Sequence, residues 1–464
     1  MKTKYVAIVS LLLAVAVFFS GCDAFSFSSA ENLVRPPKLS GDDGKLQAAF
    51  EKAVGKPGEY VLKYPSSGVY RSAFVRYDCD SDGSDEAFVF YSLKSEEMSV
   101  HMYMLDCVDG EWIPVESFNG EGSDVYSIEF SDLNNDGISE ILLGWSSLDV
   151  KSNKKLTVYC SQQGGEELDY KVLIMETYTS MLTVDADNDS QQELLLALIN
   201  STSDTYTTQA KLLKMSGGSQ SDPQISAVGH VNLYSEITAF LSVSSGKEDG
   251  RTYIYIDEVA GDAYLTEILY WNEQAGILEA PVETDAMLMA DCPTSRSLDM
   301  ICSDVNRDGE KEIPATVLFE NGYIVRKNAD GTDNKSANEN MYVTKWLKYN
   351  QGEFTPVSSY IENSENKFRI DYDEEKMKDW SIVFYPDDGV SQFYVVQKSD
   401  NPDVAEESVL MFTISVQDVD SEMNINTYLA SGTDYMYTYQ ITAEGEEMGI
   451  TKGFISALFS VVHE

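Results

Sequence analysis

Residues 78–86 read DCDSDGSDE, and the same acidic frame returns as DLNNDGISE at 132–140, DADNDSQQE at 185–193 and DVNRDGEKE at 304–312. Each segment carries oxygen-bearing side chains at its first, third and fifth positions and a glutamate at its ninth. Glycine stands sixth in three of them, where a tight turn needs positive φ, and Ser190 takes that place in the third. A hard divalent cation such as Ca2+ takes about six to eight oxygen ligands at roughly 2.3–2.6 Å. A nine-residue loop of this pattern points its odd positions inward, with a backbone carbonyl at the seventh.

The candidate ligands follow loop by loop. The first loop offers Asp78, Asp80, Asp82 and Glu86 with the Ser84 carbonyl; the second, Asp132, Asn134, Asp136 and Glu140 with that of Ile138. The third offers Asp185, Asp187, Asp189 and Glu193 with Gln191, and the fourth Asp304, Asn306, Asp308 and Glu312 with Glu310. Ser190 makes the third the least favourable, because a side chain at positive φ costs about 1 kcal/mol. An EF-hand opens in the same way but needs an acid at position twelve and flanking helices. Here position twelve is Val89, Leu143, Leu196 or Ala315, each inside an apolar run, which excludes it. An ordinary Asp-Gly turn accounts for one such loop; four in phase point to metal.

The loop starts step by 54, 53 and 119 residues, and the long step leaves room for one further unit. That unit is EITAFLSVSSGKEDGRTYIYID (236–257), in which Ser244 and Ser245 replace the opening acid. A turn glycine follows each of the first three starts by 32 residues, at Gly110, Gly164 and Gly217. The stretch GEFTPV at 352–357 echoes GEWIPV at 110–115, displaced by a polar insertion at about 327–340. Between these landmarks run short β-branched and aromatic segments, such as EAFVFYSL, EILLGW and ELLLALI, bounded by Gly, Asn and Asp. A repeat of about 54 residues, each with four antiparallel strands, is the size of a propeller blade.

Acidic loops of the form D-x-D/N-x-D-G-x-x-E between strands resemble the FG-GAP/VCBS repeats of integrin-α-type β-propellers. The resemblance spans about residues 60–360. It implies calcium in the loops joining the first two strands of a blade, and no site in the 236–257 unit. The expected fold is mainly β: a propeller of five to six four-stranded blades over 45–361, followed by a small α+β domain over 362–464. In that last part DEEKMKDW and GITKGFISALFSVV read as helices, the latter with Ile450, Phe454, Ala457, Leu458 and Val461 in helical register. A helix is also predicted at 45–54, with Leu46, Phe50 and Val54 on one face.

Lys2 and Lys4 precede an apolar run from Tyr5 to Phe19 that is too short to span a bilayer. Ser20-Gly21-Cys22 follows, which resembles a bacterial lipobox. The expectation is a signal peptide over 1–21, diacylation of Cys22 and a Ser/Pro-rich tether over 22–44. The folded part would then sit on the outer face of the bacterial cell membrane, touching it only through the lipid. Against 33 Lys and Arg the chain has 77 Asp and Glu, a net charge of −44. Such a field repels nucleic acid and attracts cations. The cysteines beyond Cys22 are sparse and odd in number, with Cys292 and Cys302 close enough in sequence to bridge.

The three histidines lack a zinc partner at ligand spacing, and no nucleophile elbow or phosphate loop is present. The reading is therefore a surface-anchored binding, adhesion or scaffold module for an envelope protein or glycan rather than an enzyme. Two alternatives stay open. One is a polysaccharide-active enzyme whose carboxylate pair hides among the acids. In the other, the propeller carries an active C-terminal domain. The five tryptophans are core residues or a sugar-stacking surface.

Overall fold

The structure is a computed structural model that describes residues 41–96, 98–146, 153–162, 169–201, 206–218, 221–281, 292–334, 338–397, 407–421 and 424–462. The signal peptide, Cys22, most of the tether and Gly164 lie outside the described residues.

The fold is mainly β and is built from successive antiparallel sheets. The first contains β1 (Tyr60–Leu62), β2 (Phe74–Tyr77), β3 (Glu86–Leu93), β4 (His101–Val108) and β5 (Glu111–Asn119), with β1 and β2 sharing the free edge of β3. The second runs in chain order through β6 (Asp124–Ser131), β7 (Glu140–Ser146), β8 (Lys154–Gln162) and β9 (Asp169–Tyr178). The third does the same with β10 (Ser180–Val184), β11 (Glu193–Ser201), β12 (Tyr206–Gly218) and β13 (Ser221–Asn232). The fourth comprises β14 (Ile237–Glu248), β15 (Arg251–Ala260), β16 (Ala263–Asn272) and β17 (Ile277–Glu279). Here no nine-residue loop forms: the tight turn Asp249-Gly250 joins β14 to β15, and Ser244 and Ser245, expected to open a loop, lie within β14 opposite Tyr255 and Ile254 because the ladder continues through them.

The strands that follow the first three acidic loops, β3, β7 and β11, are buried on both faces, which explains their unbroken apolar runs. Along β3 the alternation divides the side chains: Ala87, Val89 and Tyr91 pack toward the helix Asp42–Val54, and Phe88 and Phe90 toward the second sheet. Leu142 of the second sheet meets Leu194 and Leu196 of the third, and Leu195 there meets Ile254 and Ile256 of the fourth. Tyr253, Tyr255 and Ile268 then meet Ile313 and Tyr349. Among the described residues, the apolar clusters that bridge sheets join neighbours in the series, and none joins the first sheet to the last.

The helix Asp42–Val54 covers the outside of the first sheet. Leu46 and Phe50, one turn apart, are its buried residues, and Asp42 and Asp43 complement the helix dipole in its first turn. Phe50 lies edge-on to Tyr60, Phe74, Tyr91 and Tyr103, with ring centroids 5.1–6.2 Å away.

The fifth repeat does not end as a separate sheet. Strands β18 (Ile313–Ile324), β19 (Glu339–Asn350), β20 (Glu353–Asn363) and β21 (Phe368–Asp371) belong to a ten-stranded sheet. Its other members are β22 (Trp380–Tyr385), β23 (Val390–Gln397), β24 (Glu407–Asp418), β25 (Tyr428–Ser431), β26 (Tyr435–Ile441) and β27 (Phe459–Val461). The far end of β18 pairs in parallel with β22 (Gly322 opposite Ile382), and β27 pairs with β21. One core therefore mixes both parts: Phe319, Met341 and Val343 with Ile382, Phe412 and Tyr437. Strand β20 crosses residues 361–362, where the sequence suggested a boundary, and the sheet is continuous there.

The helices expected near the C-terminus are shorter than their periodicity suggests. DEEKMKDW yields a single turn, Glu374–Met377, and Trp380 already opens β22. The last helix spans Lys452–Leu458, and Val461 lies in a strand because its backbone finds a ladder opposite Phe368. Pairing with a ready sheet edge overrides local helical register. Cys292 and Cys302 are both free thiols. Trp112, Trp145, Trp346 and Trp380 are buried, which places them in the core and not on a stacking surface. Among the described residues no helix is long and apolar enough to cross a membrane.

Candidate metal centre

The four acidic segments fold as four copies of one loop. The ninth-position glutamate, the first residue of its strand in the first three loops, turns back into the loop. One of its oxygens accepts the amide of the second residue: Cys79 to Glu86 at 2.7 Å, Leu133 to Glu140 at 2.8 Å, Ala186 to Glu193 at 2.8 Å and Val305 to Glu312 at 2.9 Å. The opening aspartate accepts the amide of position six, Gly83, Gly137 or Gly309, at 2.9–3.1 Å. The fifth-position aspartate accepts the amide of position seven, from Ser84, Ile138, Gln191 or Glu310, at 2.7–3.0 Å. Amides of positions two, six and seven thus hold the carboxylates of positions nine, one and five.

Two positions per loop are left-handed. The sixth has φ of 91°, 87° and 91° at Gly83, Gly137 and Gly309, and 71° at Ser190, so the serine adopts the conformation a glycine would take freely. The fourth is also left-handed, at Ser81, Asn135, Asn188 and Arg307. Sequence reasoning missed this, although Asn at two of these positions was a signal.

Asp78, Asp80 and Glu86 bring carboxylate oxygens within 4.8 Å of one another, and so do Asp185, Asp187 and Glu193. These two clusters could hold a metal ion. Like charges about 4 Å apart repel by about 4 kcal/mol at an effective dielectric of roughly 20, so each cluster calls for a cation. The donor set is all oxygen, which fits a hard cation. Asp78 Oδ1 and Glu86 Oε1 in the first loop, Asp185 Oδ1 in the third and Glu312 Oε1 in the fourth are buried with no hydrogen-bond partner. Burial pushes the Glu86 and Glu140 carboxyls up to about 7 and raises those of Glu193 and Glu312.

The second and fourth loops differ at position three. The Asn134 amide donates to Asp136 at 3.1 Å and that of Asn306 to Asp308 at 2.9 Å, which quiets part of the repulsion without a cation.

The loops are joined in series rather than merged into one site. Ser81 donates to the Gly137 carbonyl at 2.7 Å, and Asn135 to the Ser190 carbonyl at 2.9 Å. In each case the fourth position of one loop reaches the sixth of the next. Asn188 continues the series by accepting from Thr252 at 3.0 Å, in the sheet without an acidic loop, and Asn350 reaches Asp249 at 2.6 Å. Gln191 braces the third loop to the second through the Leu133 carbonyl at 2.7 Å.

Residues outside the motif complete the picture. The ammonium of Lys214, on β12, lies 2.7 Å from Asp187, Asp189 and Glu193 together. The contact with Glu193 Oε1 is an ion pair rather than an aligned hydrogen bond. Lys348, on β19, pairs with Asp308 at 2.7 Å and with Glu310. The Lys348 hydrogen bond draws the Asp308 carboxyl down to about 2. Lys214 stands in LLKMS and Lys348 in WLKYN, and that echo was the legible signal.

No protein-family model matches the chain, and no curated protein matches it.

Proposed function

We propose that this chain is a calcium-stabilised β-propeller module of the FG-GAP/VCBS type, held on the outer face of the bacterial membrane by lipid on Cys22. In this reading it serves as a binding, adhesion or scaffold surface for an envelope protein or glycan. One observation carries the calcium reading: buried carboxylate oxygens without a partner, Asp78 Oδ1 and Glu86 Oε1, converge in a loop that recurs from sheet to sheet. Asp78, Asp80 and Glu86 would hold the ion, with Asp82 and the Ser84 carbonyl completing its shell. The ion supplies charge neutralisation, and the chain's own residues supply the rest: the amide bonds set the loop, and the Ser81 and Asn135 links pass its rigidity to the next. The metal's role here is structural, and ligand recognition falls to the surface that the sheets present.

Thermal melts of metal-free protein test the metal. Calcium at a hundredfold excess over its dissociation constant stabilises the fold by about 2.7 kcal/mol per site. EDTA therefore lowers the melting temperature and calcium restores it, whereas a melt indifferent to both ends the reading. Retention of an envelope glycan or envelope protein on the immobilised calcium-loaded chain tests the binding role. Turnover of a polysaccharide in the same assay would replace it with an enzyme.

A further inference from the structure

The four acidic loops do not face equivalent neighbours, and one ladder position carries much of the difference, with Lys247, 3.7 Å from Asp185 in the third loop, standing outside it. In each repeat with an acidic loop, the residue after the ninth-position glutamate pairs across to the next strand: Ala87 with Leu105, Ile141 with Tyr159, Leu194 with Leu213 and Ile313 with Leu347. The residue that follows each partner is Asp106, Cys160, Lys214 or Lys348. These four are therefore structural equivalents beside their loops.

Their chemistry runs from anion to cation. Asp106 adds negative charge beside Asp80 and Glu86 in the first loop and helps to raise both of their carboxyls. Cys160 places a neutral thiol beside Glu140. Lys214 sets an ammonium at 2.7 Å from three carboxylates of the third loop, including the fully buried Glu193. Lys348 reaches the outer part of the fourth loop and leaves Glu312 Oε1 without a partner. In the first loop Glu86 is fully buried, with Oε1 likewise unpartnered.

We infer that this ladder position decides where each loop obtains its positive charge, and that Lys214 is a tethered cation that replaces a metal ion in the third loop. An ammonium paired with three carboxylates meets the same electrostatic need as a bound cation, without its concentration dependence. The first loop, with Asp106 at the equivalent place, depends on a free cation. The fourth is intermediate. The metal half of this inference rests on the calcium reading above; the lysine half does not.

The test counts calcium bound to the full chain by equilibrium dialysis with calcium chloride alone, alongside thermal melts in EDTA. Lys214→Met is expected to bind one more calcium than the parent, to melt lower in EDTA and to recover in calcium. Lys214→Arg keeps the charge and should retain the parent's stoichiometry and EDTA melt. Asp106→Lys is an independent variant on another sheet, and it should lose one calcium while narrowing the gap between the EDTA and calcium melts. Loss of a bound calcium on Asp187→Asn in the parent chain would overturn the inference, since the third loop would then hold metal beside Lys214. So would a Lys214→Met chain with unchanged stoichiometry and an unchanged EDTA melt. If the parent binds no calcium while Lys214→Met still melts lower in EDTA, the tethered cation stands and the calcium reading falls.

Discussion

The Asn135 side-chain amide donates to the Ser190 carbonyl at 2.9 Å, joining the second acidic loop to the third across a sheet boundary. Asn135 is itself left-handed, with φ of 57°, so its backbone and its side chain serve the same junction. Asn135→Ala removes the bond and keeps a Cβ at positive φ, whereas Asn135→Gly removes the bond and that Cβ together. The alanine variant should lose about 1 kcal/mol more than the glycine variant in urea unfolding. Equal losses would mean that the left-handed backbone at this position carries no strain.

Arg296 and Asp257 form an ion pair at 3.1 Å with both side chains fully buried. Arg296 also donates to the carbonyls of Met300 and Thr294 and to the Thr266 hydroxyl, and Asp257 accepts the Cys302 amide. Removing the carboxylate leaves the guanidinium buried without its counter-charge. Asp257→Ala should cost about 3–5 kcal/mol. A urea midpoint close to that of the parent would show that the pair is not needed to hold the fourth sheet to the fifth repeat.

Glu258, the next residue, is fully buried, and burial first and the neighbouring Glu267 second hold its carboxyl well above the ordinary range. The native state thus keeps a proton that the unfolded chain releases near a pH of about 4.3. Stability from this group is fully present below that pH and falls as pH rises toward the native value, by about 1.4 kcal/mol per unit. Glu258→Gln should flatten the decline of stability that begins above a pH of about 4.3 by about that slope. Parallel curves for parent and variant would count against a protonated Glu258.

Gly322 lies where β18 leaves the repeat and joins β22. A Cβ there would lie 2.3 Å from Phe319 and 2.7 Å from Met341, both in the shared core. Gly322→Ala should destabilise by about 1–3 kcal/mol through overpacking. Hydrogen exchange should rise in β22 and β18 together, and a change confined to one of them would contradict a continuous sheet.

Much of this architecture was legible before any coordinates. The acidic frame and the apolar runs after it mark the strands, because a strand buried on both faces reads as an unbroken hydrophobic segment. Leu46 and Phe50, one helical turn apart, likewise announced the first helix. The failures have one cause. Ile450, Phe454 and Val461 keep a helical period, yet the chain leaves the helix at Phe459 because β21 offers an unpaired edge that no local pattern reveals. The junction of β18 with β22 was hidden for the same reason, since it joins residues far apart in sequence.

For the acidic loops, the sequence by itself determined the ligand frame, the turn glycines and the spacing, all of which follow from local conformation and the geometry of oxygen donors. It did not determine the charge that each loop meets. Asp106, Cys160, Lys214 and Lys348 lie 28, 28, 29 and 44 residues from their loop starts, and only strand pairing brings them alongside. Electrostatic balance acts through space at a few ångströms, and the tertiary structure alone decides which distant side chains come that close.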